Sequence, residues 1–271
     1  MLNQTVLPVK WIIGSDGSTD RTDEIIARYC CKFLWIEYLR LPEHPDRSFA
    51  SKVNCFNTAF QTVQDTEYDV IGNLDADISF EPDYFEYLLN MFALYPRLGV
   101  AGTPFIESAL QVYDYRFTNI EHVSGACQLF RKQCFLEIGG YKPVKNGGID
   151  WIAVTTARMQ GWQTRTFTEK TSTHHRPISR GQHNMLKTKF RYGQKDYLLG
   201  GHPLWQIFRA VYQMKSRPYV IGGLFLLLGY AWSALIHVKR PISNELMRFH
   251  RSEQMRRLKK SASRICPFAF A

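Results

Sequence analysis

The chain has 271 residues, 45% hydrophobic and 21% charged, which excludes a disordered or fibrous protein and allows a substantial buried core. Its charge is unevenly distributed. Residues 1–173 contain 16 Lys and Arg against 21 Asp and Glu, whereas residues 174–271 contain 18 against three. We therefore predict two parts, an acidic body (1–173) and a strongly basic C-terminal region (174–271).

The cysteines and the N-terminus indicate the cellular compartment. The six cysteines show neither a metal-binding spacing nor the disulfide framework of a small secreted protein. The first residues lack both the basic start and the long apolar segment of a signal peptide. Both observations favour reduced thiols in the cytosol.

Strands and helices are predicted in alternation along residues 1–173. Short apolar runs predict strands, and amphipathic or capped stretches between them predict helices. The strands are expected at 9–14, 33–39, 68–74 and 98–103, and the helices at 20–29, 52–64, 82–95 and 151–160. This alternation predicts an α/β fold with a mostly parallel sheet and helices on both faces.

Two carboxylates, one residue apart, follow the strand predicted at 68–74. Asp75 and Asp77 come at its carboxyl end, where ligands bind in open α/β sheets. Hard divalent cations prefer oxygen ligands and often share them with substrate phosphates. The pair therefore predicts Mn²⁺ or Mg²⁺ carrying a diphosphate. The alternative interpretation is an ordinary acidic turn after a strand.

Further polar residues occur in a fixed order before this pair. The acidic, glycine-containing segment 15–20 follows the first strand, and Lys52 and Asn57 lie in the helix before the carboxylates. Together these segments resemble the inverting glycosyltransferases of family 2, which have the GT-A (Rossmann-like) fold. The resemblance covers nearly all of residues 1–173. It implies transfer of a sugar from a nucleotide diphosphate sugar to a saccharide or lipid-linked acceptor, in cell-surface polysaccharide or glycoconjugate synthesis.

The resemblance also implies roles for individual residues. Asp16 matches the family's acidic contact to the nucleoside, and Lys52 matches a basic residue that approaches the nucleotide phosphates. Asp75 and Asp77 match the Asp-x-Asp pair that holds the metal and the sugar diphosphate. By the same analogy, uridine is expected as the base of the donor rather than guanosine.

Asp150 matches the catalytic base. Family members carry a Glu-Asp pair before a helix that is closed by Gly-aromatic. Here Ile149 and Asp150 precede a helix that ends at Gly161 and Trp162, so Ile149 replaces the Glu while the base is retained. The alternative interpretation is that Asp150 caps the helix, which requires the same residue type at the same place.

Two other segments have a less specific resemblance. The segment 123–131 resembles the acceptor-side stretch of the family, and a strand packed in the core is the alternative. His174, His175 and Arg176 occupy the place where related membrane-bound synthases have basic or aromatic motifs near the diphosphate. A metal site made of the two histidines lacks a third ligand of suitable spacing, so we assign Arg176 as a phosphate contact.

The C-terminal region contains an almost uncharged stretch at 219–238, flanked by Lys and Arg on both sides. Its length is close to the ~20 residues that cross a bilayer, but three glycines and a histidine favour a re-entrant or interfacial segment. A buried helical hairpin is the alternative. Residues 248–260 predict a basic helix that lies on anionic lipid headgroups. We expect an enzyme associated with the cytoplasmic face of the cell membrane, and no nucleic-acid partner.

One feature of the resemblance favours a competing hypothesis. Family members begin with a strand, a loop and a helix that precede the segment matching residues 2–8 here. Without that first strand the nucleotide site would be incomplete, which would make the chain a non-catalytic, membrane-bound remnant. A nucleotidyltransferase of similar architecture would need a Gly-rich phosphate loop near the start, and the sequence has none.

Overall fold

The computed structural model describes residues 1–43, 48–106, 120–175, 185–215 and 217–265. The chain divides into two compact units, residues 1–177 and 178–271. The described part of the first unit combines strands with helices, and that of the second contains helices joined by short turns.

The first unit contains all the strands and helices predicted in residues 1–173, with ends that differ by up to three residues. In its described residues the strands are β1 (Trp11–Ser15), β2 (Ile36–Arg40), β3 (Val70–Leu74), β4 (Ile78–Phe80), β5 (Leu98–Gly102), β6 (Phe105–Ile106), β7 (Cys127–Arg131), β8 (Gln163–Thr166) and β9 (Ser172–His174). The helices are α1 (Thr22–Cys30), α2 (Phe49–Gln61), α3 (Tyr84–Leu94), α4 (Lys132–Glu137) and α5 (Ile149–Met159).

The largest sheet has four strands in the order β3-β7-β5-β8. The prediction of a mostly parallel sheet is wrong, because three of the six strand pairings in the described residues are antiparallel. Two of these three pairings involve β7, which pairs Cys127 with Leu74 and so starts where β3 ends. A chain that enters at the carboxyl end of β3 can only run antiparallel to it.

The remaining strands form two smaller sheets. β1 and β2 pair in parallel, and the third sheet has the order β4-β9-β6. In this third sheet β9 runs antiparallel to β4, with His174 opposite Ile78, and parallel to β6. The β4–β9 pairing brings the segment after Asp75 next to a strand from the far end of the unit.

Helices cover both faces of the four-stranded sheet, as predicted. Successive strand residues point to opposite faces, so Val100 packs with α4 and α5, while its neighbour Ala101 packs with α3. The side chains of Phe135 and Leu88, one on each face, are almost fully buried. Burial of each such side chain contributes about 2 kcal/mol of stabilisation. The two packed faces hold the ends of β3 and β7 in place.

The second unit has four helices in its described residues: α6 (Met185–Leu198), α7 (Pro203–Gln213), α8 (Tyr219–Leu235) and α9 (Asn244–Ile265). Glycines set the closest packing. A β-carbon on Gly193 of α6 would lie 2.0 Å from the carbonyl oxygen of Leu226, and one on Gly229 of α8 would lie 2.0 Å from that of Phe190. Only glycine lets the two backbones approach this closely. Across the described ranges, every helix falls short of the length and apolar character needed to cross a membrane.

A carboxylate from α6 pairs with a guanidinium from α7. Asp196 binds Arg209 through both of its oxygens, and its side chain is only 21% exposed. Burial raises the pKa of Asp196, and the positive charge of Arg209 opposes that rise. The pair therefore keeps a poorly hydrated carboxylate ionised.

We predict that Arg209→Met destabilises the protein by about 2 kcal/mol near pH 8, because it leaves Asp196 without its counter-charge. The pKa of Asp196 then rises further, so the folded protein keeps a proton that the unfolded chain has already lost. The free energy of unfolding falls as pH rises through that pKa, and it recovers as pH drops towards the ordinary value of 3.8. Urea unfolding at about pH 5 and about pH 8 measures this, with exposed Arg191→Met as control. An equal loss at both pH values would contradict the prediction.

Candidate active site

The turn between β3 and β4 carries Asp75 and Asp77 and is fixed at both ends. The backbone N–H of Asp75 donates to the carbonyl oxygen of Ala126 at 2.9 Å. The carbonyl oxygen of Asp77 accepts from the backbone N–H of His175 at 2.8 Å. The first contact extends the β3–β7 pairing and the second extends β4–β9. The two carboxylates are thus presented by backbone that both sheets hold.

His174 joins these carboxylates. One ligand atom from each of Asp75, Asp77 and His174 lies within 4.8 Å of the others, and His174 Nε2 is 3.5 Å from Asp77 Oδ1. The other ring nitrogen, Nδ1, is buried and has no hydrogen-bond partner among the described residues. A ring whose Nε2 faces two carboxylates fits a cation ligand. The sequence analysis did not assign this residue to the site, because only the pairing of β9 with β4 brings it there.

Lys52 also reaches the turn. It lies in the first half of α2, whose N-cap is Ser48, and its ammonium forms an ion pair with Asp75. Burial raises the pKa of Asp75, the Lys52 charge opposes that rise, and the Asp77 charge adds to it. The site therefore concentrates negative charge that one ammonium group partly neutralises.

These residues line an open cleft of about 360 Å³. Its walls are Phe49, Lys52, Asp75, Ala76 and Asp77. The Phe49 ring is 55% exposed, and one of its edges faces Gly147 in the loop before α5. The cleft thus combines charged groups with one aromatic wall, and such a mixture of aromatic and polar lining is common in ligand-binding sites.

Asp150 lies in the first turn of α5 but does not cap it. The N-cap position is Gly148, with φ of 89°, and no side chain caps this helix. Instead, Asp150 Oδ2 accepts from the backbone N–H of Gly125 at 3.3 Å and lies 3.9 Å from His122 Nε2. The alternative interpretation of Asp150 as a helix cap is therefore wrong. Its carboxylate is oriented by the loop that leads into β7.

A buried tyrosine connects Asp150 with the charged turn. Burial raises the pKa of Tyr141 well above its usual range, and the negative charges of Asp150 and Asp75 add to the effect. Both carboxylates therefore act on one hydroxyl, which donates to Gln128 Oε1 at 2.5 Å. Adjacent peptide groups also hold the two residues, since the N–H of Gly125 donates to Asp150 Oδ2 and the carbonyl oxygen of Ala126 accepts from the N–H of Asp75.

The other predicted site residues are less closely connected to the cleft. Asp16 directly follows β1 and is half-buried, and it is not one of the five residues lining the cleft in the described chain. Its charge contributes to the raised pKa of Cys55, after burial. Arg176 lies outside the described residues. Within the segment 123–131, β7 is a buried core strand, as the alternative interpretation states, and Gly125 before it contacts Asp150. The acceptor-side interpretation stays a prediction.

Known proteins resemble this chain in the sequence of its N-terminal part and in fold. Residues 1–123, the N-terminal part of the chain, match the family model described as glycosyl transferase family 2. No curated protein matches the chain by sequence.

Solved structures share the fold. Mannosyltransferase PcManGT from Pyrobaculum calidifontis, in complex with GDP-Man and Mn²⁺, aligns over 98% of this chain and 81% of its own, with a TM-score of 0.54 and 15% identity. TarS 1-349 from S. aureus aligns over 84% of this chain and 64% of its own, with a TM-score of 0.53 and 11% identity. The chain thus spans less than two thirds of that TarS structure. Both likenesses support the predicted GT-A type of α/β fold.

We predict that His174→Ala weakens Mn²⁺ binding by about tenfold or more, because it removes one of three ligand groups. The matched control is His175→Ala, since His175 is exposed and its ring contacts Ser79 instead. Electron paramagnetic resonance of free Mn²⁺ in titrations of the three proteins measures the affinities. Equal affinities for wild type and His174→Ala would exclude His174 as a ligand.

Proposed function

We propose that this chain is an inverting, metal-dependent glycosyltransferase that transfers a sugar from a nucleoside diphosphate sugar to a saccharide or lipid-linked acceptor. One observation carries the proposal: a single open cleft presents Asp75, Asp77 and Lys52, with His174 beside the two carboxylates. The family 2 match and the fold support the same reaction class.

The donor diphosphate is assigned to the charged turn. Asp77, Asp75 and His174 would hold a divalent cation, which would neutralise charge on the departing nucleoside diphosphate. A mixed set of carboxylates and one imidazole suits Mn²⁺ better than Mg²⁺, since Mg²⁺ strongly prefers oxygen ligands. The Lys52 ammonium, which pairs with Asp75, would turn to a phosphate oxygen of the bound donor. Asp16 is the proposed nucleoside contact and Arg176 a further phosphate contact.

Asp150 is the proposed general base. It would take the proton from an acceptor hydroxyl, whose oxygen then attacks the anomeric carbon from the face opposite the diphosphate. One displacement of this kind inverts the anomeric configuration and requires no second carboxylate as nucleophile. The Gly125 N–H holds Asp150 Oδ2 and thereby orients the carboxylate for this step.

The base of the nucleotide and the place of action belong to the same proposal. The sequence resemblance favours UDP, whereas PcManGT was solved with GDP-Man, so both nucleotides must be tested. The strongly basic region 174–271 supports action at the anionic, cytoplasmic face of the cell membrane, in polysaccharide or glycoconjugate synthesis.

We predict that Asp150→Asn lowers sugar transfer by about 10²-fold or more while nucleotide affinity stays unchanged, because it removes a general base and not a donor contact. Water serves as the acceptor in the simplest assay, which measures release of UDP from UDP-glucose and of GDP from GDP-mannose with Mn²⁺. Asp83→Asn is the control, since Asp83 is an exposed carboxylate paired with Lys170.

Three results would contradict the proposal in different ways. Full activity of Asp150→Asn would exclude Asp150 as the base. Absence of release by the wild-type chain with either donor would favour the non-catalytic alternative. Retention of the donor's anomeric configuration in the fresh product, measured by proton NMR, would exclude inversion.

A further inference from the structure

The second unit has an inverted distribution of polar and apolar side chains. Gln206 and Ser233 are 1% exposed, and the side chain of Asp196, which pairs with Arg209, is 21% exposed. Large apolar side chains of the same helices face outward. In a water-soluble helical unit the reverse distribution is expected, because burial of apolar surface stabilises the fold.

The helix α8 shows this inversion most clearly. Its buried face consists mainly of small residues, and Leu226 is the one large aliphatic side chain buried there. Its exposed face is apolar: Ile221, Leu224, Leu228, Trp232 and Leu235 are 46–70% exposed. These positions repeat every three or four residues, so they form one stripe along the helix. The alternative of a buried helical hairpin for 219–238 is therefore wrong, because Tyr219–Leu235 is one helix with an exposed apolar stripe.

The helix α7 continues the pattern. Leu204, Ile207 and Val211 are 48–56% exposed, while Gln206 and Ala210 face inward. Gln206 Nε2 donates to the carbonyl oxygen of Leu226 at 3.4 Å. A β-carbon on Gly223 would lie 2.4 Å from the carbonyl oxygen of Ala210. These contacts make α7 and α8 an antiparallel hairpin joined along its small and polar faces. The exposed apolar side chains of the two helices, Leu204, Ile207, Val211, Ile221, Leu224, Leu228, Trp232 and Leu235, are together named the hairpin surface.

The charges of the unit indicate what the hairpin surface contacts. Of the three acids in residues 174–271, Asp196 is paired with Arg209 and Glu253 is 6% exposed, which leaves Glu245 as the exposed acid. Exposed cations flank the apolar stripe: Lys215 and Arg217 precede α8, and Lys239 follows it. An apolar stripe bordered by Lys and Arg complements a leaflet of anionic lipids.

We infer that the hairpin surface inserts into one leaflet of an anionic membrane, with α7 and α8 lying in the plane of the interface and the flanking cations contacting lipid phosphates. This inference deepens the membrane association within the proposed function and rests on it. The sequence analysis placed the contact in 219–238, which contains α8, and in the basic helix 248–260; the inference keeps α8 and adds α7.

Vesicle flotation of the full chain tests the inference. The vesicles contain phosphatidylcholine with or without phosphatidylglycerol, and the variant is the double substitution Leu228→Gln and Trp232→Gln. Both side chains are half-exposed and face away from the helical packing, so the fold should tolerate the changes. We expect about tenfold weaker binding to the anionic vesicles. The control is Leu34→Gln with Leu94→Gln, two leucines of the first unit that are 97% and 66% exposed, and it should bind as wild type does.

Fluorescence quenching provides a second readout. Lipids brominated on their acyl chains should quench wild-type tryptophan fluorescence, and Trp232→Phe should float normally while losing most of the quenching. Normal flotation of the Gln double variant, or equal quenching in Trp232→Phe, would overturn the inference. So would a wild-type dimer in lipid-free solution that the Gln double variant converts to monomer, because a second copy would then cover the surface.

Nucleotide binding separates this inference from the proposed transfer reaction. The Gln double variant should bind UDP or GDP with Mn²⁺ as wild type does, since the substitutions lie outside the first unit. Loss of flotation with retained nucleotide binding supports the hairpin surface. Intact flotation of a chain that binds neither nucleotide would instead contradict the transferase assignment alone.

Discussion

The antiparallel pairing of β4 with β9 is the contact on which the candidate site depends. It sets His174 opposite Ile78, and the N–H of His175 extends the pairing to the carbonyl oxygen of Asp77. Backbone hydrogen bonds between segments distant in the sequence therefore position the His174 imidazole so that it faces the carboxylates. The other end of the acidic turn is held in the same way, by the hydrogen bond from Asp75 to Ala126. The geometry of the site thus depends on the hydrogen bonds that extend the β3–β7 and β4–β9 pairings to the two ends of the acidic turn.

The same arrangement connects the two sides of the proposed reaction. The loop that accepts the hydrogen bond from Asp75 also donates one to Asp150, through the neighbouring N–H of Gly125. Adjacent peptide groups before β7 thus position Asp75, on the proposed diphosphate side, and Asp150, the proposed base. In the proposed reaction, a small shift of this loop would move both carboxylates relative to the sugar, and catalysis is sensitive to such displacements.

Local features could be predicted from the sequence and non-local ones could not. The strand that ends at Asp75, the helix with Lys52 and the helix that begins near Asp150 follow from apolar periodicity and from resemblance to a known family. The antiparallel course of β7 and the position of His174 depend on pairing between distant segments, which periodicity does not reveal. The apolar stretch 219–238 was likewise visible, but its division into a buried small-residue face and an exposed large-residue face follows only from helix packing.

Asp75, Asp77 and His174 are proposed to bind a metal together with a nucleoside diphosphate. Calorimetric titration of the chain with UDP and GDP, with and without Mn²⁺, tests this proposal, with Asp77→Asn as the variant and Asp83→Asn as the control. We expect one of the nucleotides to bind only with Mn²⁺, and Asp77→Asn to weaken this binding by about tenfold or more. Binding that is indifferent to Mn²⁺ and to Asp77, or no binding of either nucleotide, would contradict it.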